Sequence, residues 1–287
     1  AAESEFGKEF ASLLITLHPD NIPGEIAGKG SNVHYAGQEA KKLIDILGIP
    51  YENVIVSIFD IDTIAHEQYF AHLAFTYLTH PKRTRTSYQP LANYANNIWE
   101  SPAPVRVAAF GTTFWLMTEL ARPERLYTFS SHSMPFKALV EVGFHDPKVV
   151  SEDSRIFLQC LMRYNGDYSV TPLYLPVYMS TVKANGYLKS LGNLYRQQRR
   201  WAYGVENLPY MIWEFSRNKL IPMRVKFKYT FNLAEGMYSW ATAPLLIFVL
   251  GRLPLYLAPA ELKNFALVAN TPFTLEFLMT AAMLGVF

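Results

Sequence analysis

The stretch VIVSIFDIDTIAHEQYF, residues 54–70, begins as an apolar run and then presents two carboxylates, Asp60 and Asp62. Residues 53–59 are rich in β-branched and aromatic side chains, which predicts a buried strand. Apolar residues at helical spacing predict helices over residues 31–47 and 66–78. Because strands alternate with helices, we expect an α/β domain with a largely parallel sheet.

Three further segments carry structural predictions. Residues 13–17 are expected to form a short strand before the first helix. Residues 80–90, HPKRTRTSYQP, are expected to form a solvated loop. The aromatic residues between positions 110 and 120 are expected to belong to the core face of a helix.

Composition narrows the class of protein. The chain has 287 residues, 50% of them hydrophobic, and a formal charge of +2, so it can bury one large core or two modest ones. The near-neutral charge gives no field that would attract nucleic acid, and we predict no nucleic-acid partner. Cys160 is the single cysteine, which excludes an intrachain disulfide framework and favours a reducing compartment.

Asp60 and Asp62 follow the predicted buried strand directly. In α/β sheets ligands collect outside the carboxyl ends of the strands. Two carboxylates there can bind a hard cation such as Mg²⁺ or Mn²⁺. The alternative, equally compatible with this motif alone, is that Asp62 or Thr63 caps the helix that contains His66.

Glu152 and Asp153 adjoin at the start of a second apolar helix, in VSEDSRIFLQCLM. One of them could act as a general base on an attacking hydroxyl, with a pKa raised by a nearby anionic group. The simpler alternative is that both stabilise the positive end of the helix dipole.

The stretch NLYRQQRRWAYG contains Gln197, Arg200 and Trp201. A guanidinium binds a pyrophosphate bidentately, and an indole offers a flat face to a sugar or base. An amphipathic helix at lipid headgroups explains the same residues, and the two roles are compatible.

Residues 237–257 and 265–287 are apolar segments, each about long enough to span a membrane. Buried helices are the alternative. Basic residues precede the first segment, so the positive-inside tendency predicts that the preceding domain faces the cytoplasm; they are Arg217, Lys219, Arg224, Lys226 and Lys228.

Together the D-I-D motif, the E-D pair and the Q-Q-R-R-W segment before apolar spans resemble the membrane-bound glycosyltransferase family 2 enzymes, such as cellulose, chitin and hyaluronan synthases. The resemblance implies an α/β, GT-A-type (Rossmann-like) domain over residues 1–184, without its N-terminal strands. It further implies an interfacial region over residues 185–235 and transmembrane helices over residues 236–287, with sequence missing at both ends.

The resemblance also assigns roles to the carboxylates. Asp60 and Asp62 would hold Mg²⁺ or Mn²⁺ against the donor diphosphate. Asp153 would be the general base, with Glu152 as its supporting neighbour.

Five further residues would contact substrates if the resemblance holds. Gln197, Arg200 and Trp201 would contact the donor diphosphate and the acceptor end. Lys29 and Asn32, in GKGSN, would contact the nucleotide, although a loop with a helix cap explains that segment equally well.

His132, in the loop FSSHSMPF, stands where the family places acceptor contacts, although a plain surface or core residue is the more common role of such a histidine. The implied reaction is an inverting transfer from a nucleotide-sugar, with a UDP-sugar favoured over a GDP-sugar. The acceptor would be a glycan or a lipid-linked molecule, at a multi-pass cytoplasmic membrane whose lipids are also partners.

Two other functions fit part of the pattern. A D-x-D after an apolar strand also begins the haloacid-dehalogenase-type phosphatases, but Ile64 stands where that motif needs Thr or Val. A non-catalytic membrane scaffold with a decayed transferase domain is the third possibility.

Overall fold

The computed structural model describes residues 5–250 and the isolated positions Leu257, Pro259, Glu261 and Phe277. The chain divides into two units, Ala1–Lys228 and Tyr229–Phe287. The first unit contains the sheet and every candidate site residue. The expected boundaries after residues 184 and 235 remain predictions.

The strands of the described region are β1 (Ile55–Ser57), β2 (Ile64–Ala65), β3 (Thr86–Asn93), β4 (Ser133–Pro135) and β5 (Ser169–Tyr178). They form one sheet in the order β1–β4–β3–β5–β2. Strand β4 runs antiparallel to β1 and β3, β2 runs antiparallel to β5, and only β3 and β5 pair in parallel. The fold is α/β as predicted, but the largely parallel sheet was wrong. Strand direction depends on pairing between distant segments, which the alternation of elements does not report.

Strand β1 is shorter and less buried than the expected strand over residues 53–59, because its three residues are all half-buried. Backbone contacts continue the pairing on both sides of it. The Ile58 amide donates to the carbonyl of His132 (2.9 Å), and the Phe136 amide donates to the carbonyl of Val54 (3.0 Å). Asp60 therefore stands just beyond the paired part of the strand.

Two loop and strand predictions were wrong. Residues 13–17 form no strand, and Leu17 is 85% exposed. Apolar side chains alone do not make a strand when no neighbour accepts its backbone hydrogen bonds. The supposed loop over residues 80–90 contains the start of β3, where Thr86, Ser87 and Gln89 are buried. Each has a hydrogen-bonding partner: Thr171, Tyr168 and the Phe129 amide respectively, which offsets the cost of burial.

The helices of the described region are α1 (Lys29–Leu47), α2 (Tyr69–Thr79), α3 (Ala103–Leu120), α4 (Phe136–Glu141), α5 (Glu152–Arg163), α6 (Tyr187–Ala202), α7 (Asn207–Arg217) and α8 (Met223–Leu250). Helices α1 and α2 confirm the two that were predicted from periodicity. Helix α1 ends at Gly48, whose φ of 63° gives a left-handed turn that glycine adopts without strain.

The core lies between the sheet and helices α4 and α5. Its largest fully buried side chains include Met134, Phe136, Phe157, Leu161 and Leu173. Helix α3 is a helix as expected, but Phe110 is 72% exposed, so the aromatic core face was wrong there. Apolar residues occupy both faces of α3, and periodicity therefore does not reveal which face is buried.

The structure describes most of the first predicted span and little of the second. The first overlaps helix α8 as far as Leu250, and the second falls outside the described part apart from Phe277. Among the residues that the structure describes, no helix has both the length and the apolar character needed to cross a membrane.

Candidate functional site

Lys29 lies at the centre of the predicted carboxylates. Its Nζ is 2.6 Å from Oδ1 of Asp60 and 3.0 Å from both carboxylate oxygens of Asp153. Oε1 of Glu152 is 3.7 Å away. These four residues, the Lys29 cluster, come from the first turn of α1, the end of β1 and the first turn of α5. The fold therefore joins motifs that are about 30 to 120 residues apart.

The charge of Asp60 is supported by its neighbours. Burial alone would raise its pKa, but the Lys29 ammonium and the Ser130 hydroxyl, which donates to Oδ2, hold the pKa below its ordinary value. The charge of Arg200, an exposed residue of helix α6, contributes in the same direction. Asp60 is thus kept ionised, as a cation ligand must be.

Glu152 and Asp153 start helix α5, as predicted. Burial, and next the negative charge of Asp153, raise the pKa of Glu152 to about 7. The Asp153 carboxylate is instead held by Lys29, and the Thr128 hydroxyl donates to its backbone carbonyl. The raised pKa that was expected for one of the two carboxyl groups is thus found at Glu152.

Asp62 contacts a different part of the chain, where Oδ2 accepts a hydrogen bond from the Ser180 amide (2.9 Å). Tyr94, in the loop that follows β3, is influenced both by Asp62 and by carboxylates of the Lys29 cluster. Burial, followed by the charges of Asp60, Asp62 and Asp153, raises its pKa above the ordinary range. The three carboxylates are therefore close enough to Tyr94 to influence the pKa of its phenol.

A groove next to Tyr94 is formed by helices α3 and α6. Gln197 and Trp201 line it, and the Tyr94 and Trp201 ring centroids are 6.5 Å apart. The substrate contacts predicted for Gln197 and Trp201 stay predictions. Arg200 is not among the described lining residues but is close enough to Asp60 to help lower the pKa of Asp60.

Two other residues that were predicted to contact substrates, His132 and Asn32, are not among the residues that line the groove. His132 has no exposed side-chain surface; its Nδ1 donates to the carbonyl of Phe129 (2.9 Å) and lies 3.9 Å from Oδ1 of Asp153. Burial lowers its pKa. His132 thus lies behind Asp153, and the acceptor role stays a prediction. Asn32 is exposed on the first turn of α1, and its nucleotide contact also stays a prediction.

A family model described as glycosyl transferase family group 2 matches residues 55–284. The chain belongs to this family. It is therefore a glycosyltransferase, which takes a nucleotide-sugar donor and an acceptor. No curated protein matches the chain. The mixed α/β fold fits a GT-A-like domain, and the match favours a transferase over the phosphatase alternative.

Glycosyltransferases of this family commonly use divalent metal ions. Among the described residues, no group of three or more His, Cys, Asp or Glu side chains could hold a metal ion. Mg²⁺ nevertheless needs only one or two carboxylates when substrate phosphates complete its coordination. Asp60 and Asp62 carry oxygen ligands of the type that such a cation takes, and in this structure these oxygens contact Lys29, Ser130 and the Ser180 amide instead.

Two features of this glycosyltransferase site were not found from the sequence. Tyr94 sits in an ordinary loop, LANYANN, and carries no motif. The position of Lys29 among three carboxylates depends on how α1 packs against α5. Gly30 gives one sequence signal of this packing, because a Cβ there would lie 3.2 Å from Cβ of Glu152.

Proposed function

We propose that this glycosyltransferase is an inverting, metal-dependent enzyme that uses a nucleoside diphosphate sugar, with a UDP-sugar favoured, and a glycan or lipid-linked acceptor. The observation that carries the proposal is the Lys29 cluster: Asp60 and Asp153, from separate motifs, are both within 3.0 Å of one ammonium. In the proposal, the general base and a carboxylate that holds the cation of the donor diphosphate are thereby adjacent.

Asp153 takes the proton of the acceptor hydroxyl in this proposal. The hydroxyl oxygen then bonds to the anomeric carbon from the side opposite the diphosphate, while the bond from that carbon to the diphosphate oxygen breaks. The electron pair leaves with the nucleoside diphosphate, and the configuration is inverted. One displacement suffices, so no covalent enzyme intermediate is required.

The leaving diphosphate gains negative charge as its bond breaks. Arg200 is close enough to Asp60 to help lower its pKa, and in this proposal it supplies positive charge to the leaving diphosphate. Asp60 and Asp62 would hold a divalent cation, which supplies further electrostatic stabilisation when bound. Trp201 and Tyr94 lie next to each other beside the site, and an aromatic face of this kind can stack against the apolar face of a sugar ring.

Membrane location stays part of the proposal. The apolar segments over residues 237–257 and 265–287 and the basic residues before them support a multi-pass protein of the cytoplasmic membrane, with the catalytic unit facing the cytoplasm.

The test is turnover of radiolabelled nucleotide-sugars by the full-length protein in lipid vesicles, with Mg²⁺, with Mn²⁺ and with EDTA. Metal-dependent transfer with inversion supports the proposal. Absence of transfer together with absence of metal-dependent UDP binding would favour a non-catalytic scaffold. Hydrolysis of a phosphomonoester without sugar transfer would favour the phosphatase.

A further inference from the structure

The segment that follows the Q-x-x-R-W motif is bonded to the loop that carries Glu152 and Asp153. Oε1 of Glu206 accepts three hydrogen bonds, from the amides of Val150 and Ser151 (3.2 Å each) and from the Ser151 hydroxyl (2.7 Å). Glu206 belongs to the short turn between α6 and α7, five residues after Trp201. One carboxylate oxygen thus fixes the backbone that leads into helix α5.

Asn207 extends these contacts across the first turn of α5. Its Nδ2 donates to the hydroxyls of Ser151 (3.1 Å) and Ser154 (2.9 Å), and its Oδ1 accepts from Nε of Arg155 (2.7 Å). The Arg155 guanidinium in turn lies 3.8 Å from the ring centroid of Tyr210. Asn207 is 2% exposed and Arg155 is 6% exposed, so these contacts are shielded from water.

Ser151 uses its hydroxyl in an unusual way. It is the residue before α5, where a serine side chain commonly caps the helix, yet it makes no such bond here. Its hydroxyl donates to Glu206 and accepts from Asn207 instead. The first turn of α5, which carries Asp153, is therefore held from outside the helix by residues 206 and 207.

We propose that Glu206 and Asn207 are positioning residues of the transfer reaction, which fix Asp153 relative to the helix that presents Gln197 and Trp201. The inference rests on the proposed role of Asp153 as the base. Acceptor and donor contacts on α6 and the base on α5 then share one rigid connection. A displacement of the base by about 1 Å is enough to lower turnover on the order of 100-fold.

The experiment measures kcat, KM and UDP affinity of the full-length protein for Glu206→Ala and Glu206→Gln. The matched control is Glu39→Ala, which removes a surface glutamate that pairs only with Lys42 in a salt bridge of α1. We expect Glu206→Ala to lower kcat about 10- to 100-fold while UDP affinity stays within about 2-fold. Glu206→Gln keeps an acceptor oxygen and should lose only about 3-fold.

A second comparison separates positioning from general damage to the fold. In an Asp153→Asn background, Glu206→Ala should lower the residual rate no further, because the base is already absent. An equal loss in both backgrounds would overturn the inference, as would a kcat for Glu206→Ala that matches the control. If Glu206→Ala does not fold, as judged by circular dichroism, Ser151→Ala replaces it. We expect Ser151→Ala to lower kcat by about 2- to 5-fold. An unchanged kcat for Ser151→Ala would contradict the inference.

The failure of each proposal is distinguishable. Wild-type turnover by Asp153→Asn would remove the base assignment and this inference together. An inactive Asp153→Asn with a fully active Glu206→Ala would remove only the inference.

Discussion

Replacing Lys29 by methionine tests the Lys29 cluster, because it removes the ammonium and keeps most of the side-chain volume. Breaking a fully buried ion pair costs about 3–5 kcal/mol. Here the side chains of Asp60 and Asp153 remain 29% and 21% exposed, which admits screening water. We therefore expect Lys29→Met to lower the free energy of unfolding by about 2–3 kcal/mol, or Tm by about 5–10 °C.

The assay is thermal unfolding followed by circular dichroism, with Lys41→Met as the control. Lys41 lies on the same helix and pairs with Asp45 at a surface where 36% and 44% of the two side chains are exposed. Loss of that solvent-screened pair should leave the free energy of unfolding nearly unchanged. Mn²⁺ should restore part of the stability of Lys29→Met, because a bound cation again neutralises the carboxylates.

The pH dependence of Lys29→Met has a defined sign. Lys29 lowers the pKa of Asp60 in the folded state, so its stabilisation is present above the unfolded pKa and is lost on acidification. The deficit should be largest at neutral pH and should shrink below about pH 4. Equal melting of Lys29→Met and Lys41→Met at pH 7 would refute the reasoning.

Two further predictions concern the carboxylates. Because the pKa of Glu152 is raised to about 7, folding is penalised as pH rises from its ordinary value of 4.5 through 7. In urea unfolding, Glu152→Gln should thus be more stable than the wild type by about 2–3 kcal/mol at pH 8 and as stable as the wild type at pH 4. If the variant and the wild type were equally stable at both pH values, the prediction would be contradicted. Asp60→Ala and Asp62→Ala should each make UDP binding equal with Mn²⁺ and with EDTA, as measured by calorimetry. Asp167→Ala, at a surface ion pair, is the control, and persistent metal dependence in both site variants would argue against the metal site.

Local pattern was sufficient for much of the fold. Helix α1 and the start of α5 at Glu152 follow from apolar spacing and from acidic residues in a first turn. The carboxylates of Asp60 and Asp153 were predicted from separate motifs, and the structure brings them together around Lys29. The helices and the motifs depend on neighbouring residues in the chain, which a sequence reports directly, whereas the meeting of the carboxylates around Lys29 depends on packing between distant elements.

The features that were mispredicted depend on long-range pairing. Strand β4 pairs with β1 and β3 and runs antiparallel to both. No local sequence pattern encodes this pairing or its direction. Thr86 and Gln89 look like residues of a polar loop until their buried partners are known. Tyr94 and Glu206 act through contacts with residues more than 30 positions away. Such contacts exist only after the chain has folded.

The most direct test of the account is Asp153→Asn, measured in the same preparation for sugar transfer and for UDP binding with Mn²⁺. The amide fills the same space and accepts no proton from the acceptor hydroxyl. We predict that transfer falls by at least about 100-fold while UDP affinity changes by no more than about 3-fold. Near-normal transfer by Asp153→Asn would contradict the central claim that Asp153 is the base.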